Sequence, residues 1–152
     1  MTLPDIRYLS LRADTLMGMF RHLPAPARAQ ALAALVRSTA EHGGDSARRY
    51  FEASGGDVAA LLAMIEKTAG ELGWGQWHFA EREAARLVLK VTDSPFAAGY
   101  GAADTEVCAP ITGMLQAVAA LVFGIPCEAR EVHCRAHGMT NCRFEALARS
   151  KS

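Results

Sequence analysis

A chain of 152 residues is long enough to bury one hydrophobic core without disulfide staples, and its 16 basic residues balance 16 acidic ones. That balance excludes a bulk electrostatic attraction to nucleic acid or to an anionic membrane surface. The start of the chain, Met1 to Arg7, lacks the basic-then-apolar order of a secretory signal, and no apolar run approaches the ~20 residues of a membrane span.

An amphipathic pattern from Ile6 to His22 predicts a first helix, closed by Leu23-Pro24-Ala25-Pro26. Pro26 suits the first position of a second helix, Ala27 to Ala40, with Ala31, Leu32, Leu35 and Val36 at helical spacing. His42-Gly43-Gly44 predicts a break, after which Asp45 caps a short helix from Ser46 to Ala53. Ser54-Gly55-Gly56-Asp57 stops that helix and caps the next, in which Val58, Leu61, Leu62, Ile65 and Ala69 mark a face up to Leu72. The period changes after Gly73. Trp77, Phe79 and Glu81, then Arg86 to Val91, predict two strands joined near Glu83-Ala84. Asp93-Ser94-Pro95 ends the pair, and Phe96 to Thr105 reads as a Gly/Ala-rich loop. Pro110 opens a long helix with Ile111, Met114, Leu115, Val118, Leu121 and Val122 on one face, and Gly124 stops it. Residues 126–135 and 140–147 read as a final hairpin. The order predicts one α+β domain over 1–152, with N-terminal helices packed on a small antiparallel sheet built β-β-α-β-β.

The chemistry concentrates in Glu131-Val-His-Cys134-Arg-Ala-His-Gly-Met-Thr-Asn-Cys142, with Cys108 just ahead of the long helix. Four cysteines without an export signal predict reduced cytoplasmic thiols, available to a metal. Thiolates and carboxylates are both ordinary zinc ligands, and four of them close a tetrahedral structural site. Cys134 and Cys142 flank a turn, so a hairpin brings them together. Glu131 and Cys134 would face opposite ways in a regular strand, so both reach one ion only if the strand bulges or ends between them. His133 and His137 are rival donors, and the alternative to a metal is a set of buried free thiols. Cys127 has no partner at suitable spacing and is expected in the core.

Trp74, Trp77, Phe79, Phe96 and Tyr100 gather around the first hairpin and the segment after it, where half-buried aromatics are usually core. His78 alternates with Trp77 and Phe79 and is expected to face solvent. Met17, Met19 and Met114 are expected in the core, although Met17 and Met19 cannot share a helical face. The chain carries no Gly-x-Ser-x-Gly, phosphate-binding glycine loop or dinucleotide fingerprint, which favours binding over catalysis.

These residues resemble the 4-vinyl reductase domain family. That family includes a bacteriochlorophyll-pathway protein and the sensor domains of phenol- and xylene-responsive activators, and its fold is distantly related to TRAPP vesicle-tethering subunits. The resemblance runs from about Asp93 to Leu147, through Asp93-Ser94-Pro95-Phe96, Val107-Cys108, Gly113 and Glu131-x2-Cys134-x3-Gly138-x3-Cys142-x-Phe144. It implies Zn²⁺ held by Cys108, Glu131, Cys134 and Cys142. It also implies a small-molecule cavity between helices and sheet, for which Trp74, Trp77, Phe79, Phe96, Tyr100 and Met114 are the candidate lining. The implied function is a zinc-stabilised carrier of a hydrophobic, tetrapyrrole-type ligand in bacteriochlorophyll biosynthesis, acting as a homodimer and delivering to a biosynthetic enzyme. The alternatives are a stand-alone sensor for a small aromatic or lipid-like effector, and a vinyl reductase.

Overall fold

In a computed structural model that describes residues 6–149, nine helices and strands surround a core centred on one helix. They are α1 (Ala13–Arg21), α2 (Ala25–Ala53), α3 (Val58–Glu71), β1 (Gln76–Glu83), β2 (Arg86–Thr92), α4 (Pro95–Tyr100), α5 (Ala109–Phe123), β3 (Cys127–His133) and β4 (Cys142–Ala148). The strands form one antiparallel sheet in the order β1-β2-β4-β3. The α+β architecture and the two hairpins are as expected. Helices α3 and α5 pack on one face of the sheet, α2 packs on α5, and α1 packs on α4.

Alternation along the inner strands supplies the core. Leu87, Leu89 and Val91 of β2 and Cys142, Phe144 and Ala146 of β4 point to the helices and are buried. The outer face carries ions instead, with Arg86 bonded to Glu81 and to Glu145. Helix α5 lies between sheet and α2, so nearly its whole circumference is apolar, with Ile111, Leu115, Val118 and Ala119 fully buried. Gly124 ends it with φ 70°, the left-handed conformation that glycine adopts without strain. Asp57 caps α3 by accepting a hydrogen bond from the Ala60 N–H at 3.0 Å.

Four local expectations are corrected. Gly43-Gly44 does not break α2, which runs unbroken for 29 residues, and Asp45 is interior to it, 3.6 Å from Arg48 rather than capping. Two glycines cost a helix about 1 kcal/mol each, but here they serve the crossing with α5. A Cβ on Gly44 would sit 2.9 Å from the Ala117 Cβ, and one on Gly113 would sit 2.5 Å from the Val36 carbonyl oxygen. The absent side chains let the two helices approach, and the burial gained on α5 offsets the propensity lost. The first helix begins only at Ala13, so Tyr8, Leu9 and Leu11 are exposed ahead of it. Side chains so exposed gain no packing energy, and a short helix without packing is unstable in water. Pro95–Tyr100 is a helix rather than a loop, because Ser94 accepts a hydrogen bond from the Ala97 N–H and Pro95 fits the first turn. Met17 is fully buried, but Met19 is 52% exposed on the opposite side of α1. His78 faces solvent as expected.

The α2–α5 crossing yields a direct test. Gly113→Ala forces a methyl against the α2 backbone, and such overpacking costs about 1–3 kcal/mol. A thermal melt should show a fall of several degrees, whereas the exposed Gly70→Ala, where an added Cβ meets nothing within 4 Å, should not destabilise. Equal melting temperatures for wild type and Gly113→Ala would refute the close crossing.

Candidate metal centre

Four side chains from three places in the chain meet under the end of the sheet. Cys108 is the N-cap residue of α5, Glu131 lies on β3, Cys134 follows β3, and Cys142 opens β4. Their donor atoms all lie within 4.8 Å of one another. The local geometry has an identifiable cause at each point. The β3–β4 register shifts between Glu131 and His133, so one extra residue, Val132, turns the strand and lets Glu131 and Cys134 share a side. A 3₁₀ turn, Arg135–His137, then folds back, with the His137 and Met139 N–H groups donating to the Cys134 carbonyl at 3.0 and 3.2 Å. Gly138 closes that turn at φ 84°.

Two of the sulfur separations are close to those of a tetrahedral metal site. Cys108 Sγ lies 3.8 Å from Cys142 Sγ and 4.0 Å from Cys134 Sγ. A zinc–sulfur bond of about 2.3 Å implies a tetrahedral edge of roughly 3.8 Å. All four cysteines, including Cys127, are free thiols. Glu131 is held by one oxygen, Oε1, which accepts from the Cys108 N–H at 2.9 Å. Its other oxygen, Oε2, is buried without a hydrogen-bond partner among the described residues. A buried unpartnered carboxylate oxygen is costly, and a cation is the group that would satisfy it.

The titration behaviour follows from this crowding. Burial pushes the Glu131 carboxyl up to about 8, and the Cys134 thiolate beside it adds to the rise. Cys134 ionises first, its pKa lowered because the Cys108 and Cys142 thiols hydrogen-bond to it, with help from the Val107 and Ala136 backbone N–H groups. Cys108 is driven up, foremost by its hydrogen bond to Cys134. For Cys142 the bond with Cys108 favours the thiolate, but the bond to Cys134 and burial outweigh it, giving about 12. Without a metal, protons must separate these acids. A metal ion is the other group that could hold them together, since each offers a ligand atom.

Groups around the cluster orient it. The Ser94 hydroxyl lies 3.1 Å from Cys108 Sγ and also caps α4. The Arg135 N–H donates to Cys142 Sγ at 3.4 Å, and the Arg135 guanidinium bonds Asp93 at 3.0 Å. Spacing along the chain does not single out Ser94; its only local signal is the Ser-Pro pair that starts α4. Of the rival donors, His133 is exposed, and His137 is exposed with Nδ1 3.1 Å from the Ala103 carbonyl oxygen; neither joins the group. Cys127 is buried, with its thiol donating to the Ile125 carbonyl.

The six candidate lining residues are not gathered in one wall. Trp74, Trp77 and Phe96 pack together, Phe96 edge-on to Trp74 with centroids 5.1 Å apart, and Trp77 Nε1 donates to the Trp74 carbonyl at 3.0 Å. Tyr100 is buried beneath the Arg21 guanidinium, 5.7 Å above its ring. Phe79 is half-buried on β1, and Met114 faces α2 near Gly43. A cleft of about 820 Å³ lies elsewhere, between α2 and the C-terminal half of α5, with Arg37, Phe51, Leu121 and Ile125 among its walls. None of the six lines it.

Residues 87–148, from β2 to the end of β4, match the 4-vinyl reductase domain family. The resemblance drawn from the cysteine motif holds over these residues. Three solved structures share the fold. The phenol-responsive sensory domain of the transcription activator PoxR, solved with phenol, has a TM-score of 0.80 at 17% identity, covering 97% of this chain and 79% of that one. A vinyl-4-reductase family protein from Methanocaldococcus jannaschii has a TM-score of 0.59 at 15% identity, over 96% of this chain and 100% of the other. A trafficking protein particle complex subunit 3 from Naegleria fowleri, covalently bound to palmitic acid, has a TM-score of 0.62 at 12% identity, over 91% and 95%. At such identities the likeness is one of fold, and it includes the expected TRAPP-subunit relationship. No curated protein sequence matches the chain.

The carboxylate predicts a pH signature in metal-free protein. Glu131 is raised from 4.5 to about 8, so the folded state keeps a proton that the unfolded chain releases. Its contribution is therefore fully present below about 4.5 and is lost as pH rises towards about 8. Chelated wild-type protein should lose stability across this window relative to chelated Glu131→Gln, whose side chain does not titrate. Urea denaturation at several pH values reads the difference, and parallel profiles would show that Glu131 is not so buried.

Proposed function

We propose that this chain is a small-molecule-binding domain stabilised by structural zinc, working as a homodimer in the sensing of a compact aromatic or lipid-like effector. The observation that carries the zinc is the gathering of three sulfurs and a carboxylate within 4.8 Å, with the orphaned Glu131 Oε2 among them. Zn²⁺ suits a donor set of three thiolates and one carboxylate. Four protein ligands leave no open position for a catalytic water, so the role is structural. The site would tie the N-terminus of α5 to the β3–β4 hairpin and contribute its binding free energy to folding. Backbone N–H groups and the Ser94 hydroxyl aimed at the sulfurs favour the thiolate forms that a metal needs.

Small-molecule binding is supported by the shared fold: the PoxR domain responds to phenol, and the trafficking subunit carries palmitic acid. Within this chain the packed ring cluster of Trp74, Trp77 and Phe96 favours a compact ligand. A tetrapyrrole carrier would require these rings to part around a macrocycle. Displacing them exposes apolar surface at about 25 cal/mol per Å², so the smaller effector is the reading preferred over a bacteriochlorophyll precursor and its biosynthetic enzyme.

Two outcomes follow. Elemental analysis should give one zinc per protomer in the wild type, Cys127→Ser and His137→Ala, and little in Cys108→Ser, Cys134→Ser or Cys142→Ser. Chelation should lower the melting temperature by many degrees. A metal-free protein that melts unchanged would end the structural-zinc reading. Separately, phenols or short fatty acids should quench or shift the fluorescence of Trp74 and Trp77 at micromolar concentration, and protoporphyrin should not do so saturably. Saturable porphyrin binding alone would restore the carrier reading, and silence from every class would remove the binding function.

A further inference from the structure

The open cleft between α2 and α5 has a wall whose charges match a second copy of the same chain. On α2, Arg37, Glu41, Arg48 and Glu52 line the cleft at successive spacings of four, seven and four residues, which places them in one stripe along the helix. All four are exposed. Their signs alternate, and the order is self-complementary only when read against its own reverse. About a point between Gly44 and Asp45, Arg37 stands opposite Glu52, and Glu41 stands opposite Arg48. A two-fold axis through that point makes each contact twice, the isologous geometry of a symmetric dimer. A parallel alignment would set like charges together.

The rest of the groove supports the same occupant. Its floor is apolar and half-buried, with Phe51, Leu121 and Ile125 open to the cleft. A helix of 29 residues is about 43 Å long, ample for the roughly 800 Å² per partner of a stable interface. Among the described residues of the single chain Arg48 forms an ion pair only with Asp45, at 3.6 Å, with its side chain 58% exposed. An exposed pair of this kind is weak and yields readily to a better-placed carboxylate.

We propose that this groove is the interface of a two-fold homodimer, with antiparallel α2 helices pairing Arg37 with Glu52 of the second copy and Glu41 with Arg48 of the second copy. The inference assigns a surface to the homodimer named under the proposed function and rests on that part of it. Sedimentation velocity at micromolar concentration tests it with zinc-loaded protein. The wild type should be dimeric. Arg48→Glu sets carboxylate against carboxylate in both symmetric contacts and should weaken self-association about a hundredfold or more, as should Glu41→Arg. Mixing these two variants in equal amounts should restore dimers, because each then supplies the charge the other lacks. The double variant should dimerise alone. Zinc content and melting temperature, read on each sample, separate failure of the interface from failure of the metal reading or of folding. A monomeric wild type overturns the proposal and leaves the groove to a small molecule or a different protein. So does a dimer untouched by Arg48→Glu, or a mixture of the single variants that stays monomeric.

Discussion

Three thiols and a carboxylate sharing one nearly dry space are the arrangement around which the C-terminal half of this protein is built. Four acids within 4.8 Å repel when ionised and are poorly solvated when buried. Every nearby feature reads as an accommodation to that conflict. The bulge at Val132 brings Glu131 round, the 3₁₀ turn presents backbone N–H groups to sulfur, and Ser94 lends a hydroxyl. A divalent cation would remove the repulsion in one step, and the distances from Cys108 Sγ to the other two sulfurs suit one.

Helix α5 carries this constraint into the rest of the fold. Its first end is pinned at Cys108 and its middle is crossed by α2 at Gly113. Its other side covers β3 and β4. A shift of α5 would therefore disturb the thiol cluster, the helix crossing and the sheet together. The glycines of the crossing pass that restraint to α2, which together with α5 walls the open cleft.

The segment from Asp93 to Tyr100 joins the cluster to the aromatic region. Ser94 contacts Cys108, and two residues later Phe96 meets Trp74 edge-on. Asp93 bonds Arg135 in the turn between Cys134 and Cys142. One short helix thus touches the candidate metal centre at its cap and the packed rings along its length.

Much of the candidate site is legible without coordinates. Glu131, Cys134 and Cys142 sit in one hairpin, so their meeting is a local matter of turn and register, and the need for a bulge follows from strand alternation alone. The stop signals at Gly55-Gly56-Asp57 and Gly124 are equally local, since backbone conformation decides them. Gly43-Gly44 misleads because a glycine pair looks the same whether it breaks a helix or admits a neighbouring one. The neighbour, α5, lies about seventy residues away in the chain. The aromatic residues share that ambiguity: spacing marks Trp74, Trp77 and Phe96 as apolar but does not say whether they line a space or fill it. By itself the sequence determined the two hairpins, most of the helices and the nearness of Glu131, Cys134 and Cys142, because these depend on neighbours within a few residues. The tertiary structure alone decided which helix faces meet, that Cys108 and Ser94 arrive at the cluster, and where the cleft opens, because those outcomes depend on close packing between distant segments.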